Sequence, residues 1–420
     1  MCEIKTLIIM KRNLYYISES LPNSFSGGTA QLGINLLREL KKKYNVIAVN
    51  SLSNFYASKD RFIKAKNELK KEKIKYFHLK KSISRTKHHL TIWNFFRTNY
   101  YDKKKIDEIK RFLDKIKIKK NDVILCVGSN SIHACNHIKA YKIALFEDVQ
   151  DQIQIIRTYL SINKYNFIKR GVKILMLKIY FRNYYKFLKK ISSNYQIKYT
   201  YSPFDQKKLS NNDIKTSVLP CPVKVNISKK KNNYKEKFNI SMFSFSISQD
   251  YNGVNLLYRK ILPKLKKNNL LNKVSLNLVM LVPKNTPLEI QKIVSDENIN
   301  VKNYTQDILN KTDLLFYPSK YPVGVRSKIL FAFSRKWFVA TSKTIKKCIP
   351  ELEDFTNCLM SNNIDDLADK IVHLIKHKKK YQYLKINGQK VLKNYSPKKG
   401  AQIIINDLNQ IINKKFLSFD

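Results

Sequence analysis

The sequence contains no apolar run approaching the roughly 18 residues that a membrane-crossing helix needs, and it is poor in acid, in arginine and in paired cysteines. The apolar patch near its start, Leu7 to Met10, is also too short for the core of a secretion signal, so a cytoplasmic protein is expected. Six cysteines (Cys2, Cys126, Cys135, Cys221, Cys348, Cys358) form no CxxC pair and no framework spacing. That argues against a disulfide scaffold or zinc ribbon and for a reducing compartment. Acidic residues number 31 against 81 basic ones, a formal net charge of +50, yet only 12 of the bases are arginine. Nucleic-acid binders usually cluster their charge and favour arginine for bidentate contacts. Here lysine is spread along the whole chain, beside abundant Asn, Ile and Tyr. No specific nucleic acid is expected as a partner; the positive field suits an anionic membrane surface better.

What is present is globular. A chain of 420 residues with 43% hydrophobic content fits two domains of about 200 residues each. Strand-like and helix-like runs alternate throughout. Asn13 to Ile17 and Asn45 to Val49 read as strands around a helix from about Thr29 to Tyr44, with Gly27 and Gly28 in the turn between. Lys59 to Lys115 reads as helices around a strand near Tyr76 to Leu79. Asp122 to Val127 is a buried strand ending at Gly128, Ser129, Asn130 and Ser131, a natural N-cap cluster. Lys142 to Phe146 is a strand closing on Glu147 and Asp148. Gly171 to Ile191 is one long basic, aromatic helix, either a packing helix with its lysines in water or a membrane-surface helix. The polar stretch Asn226 to Lys237 is the best linker. It divides the chain into residues 1–225, 226–396 and a final helical segment, 397–420.

The most informative stretch runs from Thr312 to Ser342. Leu314 to Tyr317 is a short buried strand, Pro318, Pro322 and Gly324 make a turn, and a helix opens at about Val325. Trp337 to Thr341 is a second strand. In such βαβ units ligands sit at the carboxyl ends of the strands, against the helix N-terminus. Arg326 and Lys328 lie on the first helical turn, where cations oppose the helix dipole. An anion that uses both the dipole and the side chains would explain them.

With both halves laid out, the sequence resembles the group 1 glycosyltransferases. Gly324 to Ala332, GVRSKILFA, is similar to that family's Gly-Thr-Arg-x-Lys-Ile-Leu-Glu-Ala turn. Asp313 to Pro318 resembles its Ala-Asp-Val-x-Val-x-Pro strand, and Phe338 to Thr341 its Pro-Val-Val-x-Thr. Asn303 and Tyr304 with Asp307 resemble Gly-Tyr-x-x-Asp, and Ser246 to Leu265 a strand, turn and helix ending in Leu-Pro. Gly27 and Gly28 with Asn35 to Leu40 resemble its Gly-Gly and Asn-Leu-Leu-x-x-Leu helix. About half the chain is covered.

The resemblance implies an α/β protein of GT-B architecture. Two facing, doubly wound, Rossmann-like domains enclose a cleft, the first for the acceptor and the second for the donor, and the C-terminal helices pack back on the first. It implies a retaining transferase that moves a sugar from a nucleotide sugar, a substrate rather than a cofactor, to a cell-surface glycan or lipid-linked acceptor, without a metal. The implied donor site is Gly324, Val325, Arg326, Lys328, Phe331 and Thr341, with Phe331 standing where the family carries a ribose-holding Glu. Val323, Ile247 and Asn252 likewise fall at positions the family fills with charged residues. Gly27 and Gly28 are the implied acceptor or phosphate loop, and Glu147 and Asp148 the implied catalytic carboxylates. His133, Cys135 and His137 have ligand-like spacing, but no fourth ligand lies nearby. Two alternatives remain open, a catalytically silent GT-B binding protein and a basic nucleic-acid-binding protein.

Overall fold

The computed structural model describes residues 11–25, 28–50, 59–79, 103–147, 149, 167–225, 237–244, 253–280, 288–302, 305–319 and 321–416. Gly27, Asp148, Ile247, Asn252, Asn303, Tyr304 and the linker apart from Lys237 lie outside them. The first half runs β1 (Asn13–Ser18), α1 (Gly28–Leu40), β2 (Asn45–Asn50), α2 (Lys59–Lys71), β3 (Lys75–His78), α3 (Lys103–Lys115), β4 (Val123–Val127), α4 (Ser129–Cys135), β5 (Tyr141–Phe146), α5 (Phe167–Ser192), β6 (Ile197–Thr200), α6 (Pro203–Ser210) and β7 (Ser217–Val218). Its seven strands form a parallel sheet in the order β3-β2-β1-β4-β5-β6-β7. Side chains alternate across it: Leu14 and Tyr16 enter one core, Tyr15 and Ile17 the other. Covering both faces is what requires the unbroken apolar run of β4 and the run Ile143 to Phe146 of β5.

The second half runs β8 (Phe238–Ser244), the helical segment α7 (253–267), β9 (Val274–Met280), α8 (Leu288–Val294), β10 (Ile299–Lys302), α9 (Gln306–Lys311), β11 (Leu314–Tyr317), α10 (Ser327–Ser334), β12 (Phe338–Thr341), β13 (Leu359–Met360), α11 (Ile364–Lys376), α12 (Gln382–Val391) and α13 (Pro397–Phe416). Six parallel strands follow the order β10-β9-β8-β11-β12-β13. α7 contains a π-turn, Leu257–Ile261, where the Leu262 N–H reaches back to Leu257. Pro263 follows at once and has no N–H to offer the Arg259 carbonyl, which accounts for the widened turn.

The halves are sewn together by apolar packing. The core on the Leu14 side of the first sheet continues through Leu219, Cys221, Val223, Leu392, Tyr395 and Ile404 into the Leu315 and Val339 side of the second. α13 returns to the first half and packs on α1. There the Tyr199 hydroxyl donates to the Asp407 carboxylate, and the Val223 N–H bonds the Tyr395 carbonyl at 2.9 Å. Each sheet reverses its winding once, between β1 and β4 and between β8 and β11, and ligand crevices open beyond the carboxyl ends of such strand pairs.

Three local expectations need correction. The helix expected at Val325 begins at Ser327, because the Ser327 N–H first closes a tight turn on the Val325 carbonyl (2.8 Å). α5 begins at Phe167 rather than Gly171. The Gly128 to Ser131 cluster caps α4 through Gly128, which has no side chain to make a cap bond, and the Asn130 amide donates to Glu19. Neither α9 nor β13 was anticipated; six and two residues are too short to show a period.

Candidate functional site

Two helix N-termini meet where the sheets face each other. α1 opens at Gly28 and α10 at Ser327, and a Cβ built on Gly28 would sit 2.8 Å from Ser327 Oγ. Only a residue without a side chain fits here unless Ser327 moves. Neither helix has an acidic residue in its first turn. The positive dipole ends of the two helices are therefore brought together by the packing of the two halves.

The C-terminal lip is cationic. Gly324 has φ +56°, a left-handed conformation that strains any side-chain-bearing residue, and it turns the chain from β11 toward α10. Val323 beside it is buried, and Val325 is half-buried against the shared core. The Arg326 guanidinium donates to the Tyr321 carbonyl at 3.1 Å and lies 5.8 Å from the centre of the Tyr317 ring. The Lys328 ammonium donates to the Phe243 carbonyl at 2.8 Å and lies 5.1 Å from the same ring. Two cations thus converge on one aromatic ring at the carboxyl ends of β8 and β11. Carbonyl oxygens and the ring's negative face offset part of their repulsion.

Phe331 and Thr341 lie on the same unit with different surroundings. The Phe331 ring meets Trp337 edge-on (5.8 Å, 84°) and carries the Arg335 guanidinium at 4.8 Å. Trp337 in turn stacks on Phe243. The Phe331 side chain supplies no acceptor for a hydroxyl. Thr341 is buried, and its hydroxyl donates to the Tyr317 carbonyl at 2.8 Å, tying β12 to β11.

The N-terminal lip carries carboxylates. Glu147 follows β5 and accepts from the Thr29 hydroxyl at 3.2 Å in the first turn of α1, a favourable place for negative charge. The Tyr16 and Tyr201 phenols are buried beside it. Burial raises both pKa values, and Glu147 raises them further, so both rings stay neutral and able to donate. Glu19, one residue beyond β1, accepts from the Asn130 side-chain amide, and its carbonyl accepts from Asn50 at 3.0 Å. Sequence reasoning missed Glu19 and Asn130. They occupy the switch point between β1 and β4, so position relative to the strand ends was the available signal.

The structure therefore brings Gly28, Glu147, Ser327, Arg326 and Lys328 to facing edges. The spaced His133, Cys135 and His137 go elsewhere. Cys135 is buried, the His133 ring meets Phe187 edge-on, and His137 Nε2 is 3.4 Å from Asp114. Burial, with Lys110 and Lys190 nearby, lowers the His133 pKa. Among the described residues, no group of three or more His, Cys, Asp or Glu is placed to hold a metal.

No protein-family model matches the sequence, and no curated protein is significantly similar to it. Solved structures are similar in fold. Anabaena HepE in complex with UDP and glucose superposes with a TM-score of 0.64 at 12% identity, over 95% of this chain and 100% of that one. A variant of S. aureus TarM in complex with fondaparinux, alpha-GlcNAc-glycerol and UDP gives 0.65 at 13% identity, over 95% and 100%. Sucrose-phosphate synthase from Thermosynechococcus elongatus gives 0.64 at 13% identity, over 96% and 100%. Together with the two parallel sheets, these likenesses define the class: the chain has the GT-B fold of glycosyltransferases.

Proposed function

We propose that the protein is a glycosyltransferase that moves a sugar from a nucleotide-sugar donor to a glycan or lipid-linked acceptor, in the making of a surface polysaccharide at the inner face of a membrane. The observation that carries this reading is the meeting of the α1 and α10 N-termini at Gly28 and Ser327, with Arg326 and Lys328 beside them. A departing nucleoside diphosphate needs fixed positive charge, and helix ends with basic side chains supply it without a metal. In this reading Gly324 and Val325 shape the turn that lets backbone N–H groups approach the diphosphate, Gly28 does so from the other side, and Gly27 is assigned to the same acceptor or phosphate loop by sequence. Phe331 lies against the nucleoside, and Thr341 holds the strand end beneath it. Glu147 and Asp148 orient the acceptor hydroxyl or stabilise charge on the donor sugar. Retention of anomeric configuration is carried over from the family resemblance. That HepE and TarM are complexed with UDP makes UDP-sugars the first donors to try.

The test is a thermal-shift and transfer assay with a panel of nucleotide sugars. A rise in melting temperature with one donor, followed by turnover, is expected; neither binding nor turnover with any donor sinks the reading. Phe331 favours one alternative, a catalytically silent binding protein, because an aromatic ring cannot hold ribose hydroxyls as a carboxylate does. Donor binding without transfer or hydrolysis is its signature.

A further inference from the structure

We propose that one face of α5 docks the protein on an anionic lipid bilayer. This extends the membrane-side reading above and rests on it for the biological setting alone, since lipid binding is measured without any sugar donor. A contiguous row of large aliphatic residues on an outward helix face marks an interaction surface, where single exposed ones do not. Val172, Leu175 and Ile179 are 51%, 60% and 44% exposed. At about 100° of rotation per residue, they share one stripe of the helix. Arg182, Lys186 and Lys190, all exposed, continue that stripe, the six positions falling within an arc of about 80°. The opposite face of the helix carries Tyr184, Tyr185, Leu188 and Ile191, buried in the first half's core. The outward stripe is thus aliphatic over its first two turns and cationic over the next two.

A bilayer surface matches that order. Aliphatic side chains enter the boundary between headgroups and acyl chains, while the cations stay level with lipid phosphates. A nucleic acid would use the cations and leave the aliphatic residues in water. An apolar protein groove would leave the cations unmatched. The net charge of +50 adds long-range attraction to any anionic surface. Among the described residues no helix is long and apolar enough to cross a membrane, so α5 lies on the surface.

The experiment is co-sedimentation of the full chain with vesicles of phosphatidylglycerol and phosphatidylcholine, against phosphatidylcholine alone, at about 0.15 M salt. Wild-type protein is expected to bind the anionic vesicles at least about 10-fold more tightly. The triple variant Val172→Ser, Leu175→Ser, Ile179→Ser is expected to lose about 10²-fold in partition, with melting temperature unchanged because the stripe faces away from the core. The variant Arg182→Gln, Lys186→Gln, Lys190→Gln is expected to bind anionic vesicles more weakly and with a shallower salt dependence. Wild-type protein that ignores anionic vesicles overturns the proposal, as does a serine variant that binds like wild type. A serine variant that changes a dimer to a monomer while lipid binding persists overturns it too, assigning the face to a second copy. So does wild-type binding to RNA but not to vesicles.

Discussion

At the carboxyl end of β11, Arg326 and Lys328 crowd the face of Tyr317, whereas at the carboxyl ends of β1 and β5 the ionisable groups are Glu19 and Glu147, held by Asn130 and Thr29. The two sheets have the same winding, with β1 between β2 and β4 and β8 between β9 and β11. Topology thus makes two equivalent crevices, and side chains give them opposite charge. Acid is scarce in this chain, 31 residues against 81 bases, so two carboxylates beside one crevice are not a consequence of composition. A cationic lip matches a diphosphate and a carboxylate lip matches hydroxyl groups, the division of labour that sugar transfer between two substrates requires.

Removing the acidic partner should have the largest effect. Glu147→Gln keeps an oxygen that accepts from Thr29, so folding and melting temperature should hold. If the carboxylate orients the acceptor, kcat should fall by about 10²- to 10³-fold, with nucleotide affinity unchanged by calorimetry. An unaltered kcat would leave Glu147 as a charge that steadies the first turn of α1. Next in size is Arg326→Ala. Loss of one charge-assisted contact should weaken nucleotide binding by about 10- to 10²-fold, with a small drop in melting temperature because the bond to Tyr321 is also lost. Unchanged nucleotide affinity would make the cationic lip structural and remove the contrast between the crevices.

Much of the scaffold was legible because both sheet faces are covered. Runs such as Leu314 to Tyr317 and Val123 to Val127 are apolar at every position, and they stand out without any alignment. The cations of the C-terminal lip were legible for a related reason, since positive charge on a first helical turn breaks a local rule. The relations between distant residues were not. Nothing local pairs Gly28 with Ser327, because that approach depends on how Leu219, Val223, Leu392 and Tyr395 join the halves. Asn130 read as part of a helix cap, but Gly128 opens α4 without a side-chain cap bond and leaves the amide to Glu19. The resemblance implies Thr341 for the donor site, but nothing local shows that its hydroxyl is bonded to the Tyr317 carbonyl within the sheet.

The smallest expected effect tests the contact between the lips itself. In Gly28→Ala the new methyl would lie 2.8 Å from Ser327 Oγ, while the next atom, Ser327 Cβ, is at 3.8 Å. A hydroxyl at the end of a short side chain can turn away, so the strain should be slight. Alanine also stabilises a helix by up to about 1 kcal/mol over glycine, so the melting temperature should stay level or rise. A site that depends on this close approach should nevertheless lose about 3- to 10-fold in kcat/KM, because small misplacements of reacting groups are expensive. Adding Ser327→Ala removes the offending oxygen and should restore the rate. Recovery in the double variant would mean that the approach of α1 to α10 sets the reacting geometry. Loss in the single variant without recovery would place its cause elsewhere, in the N–H groups of the α1 terminus.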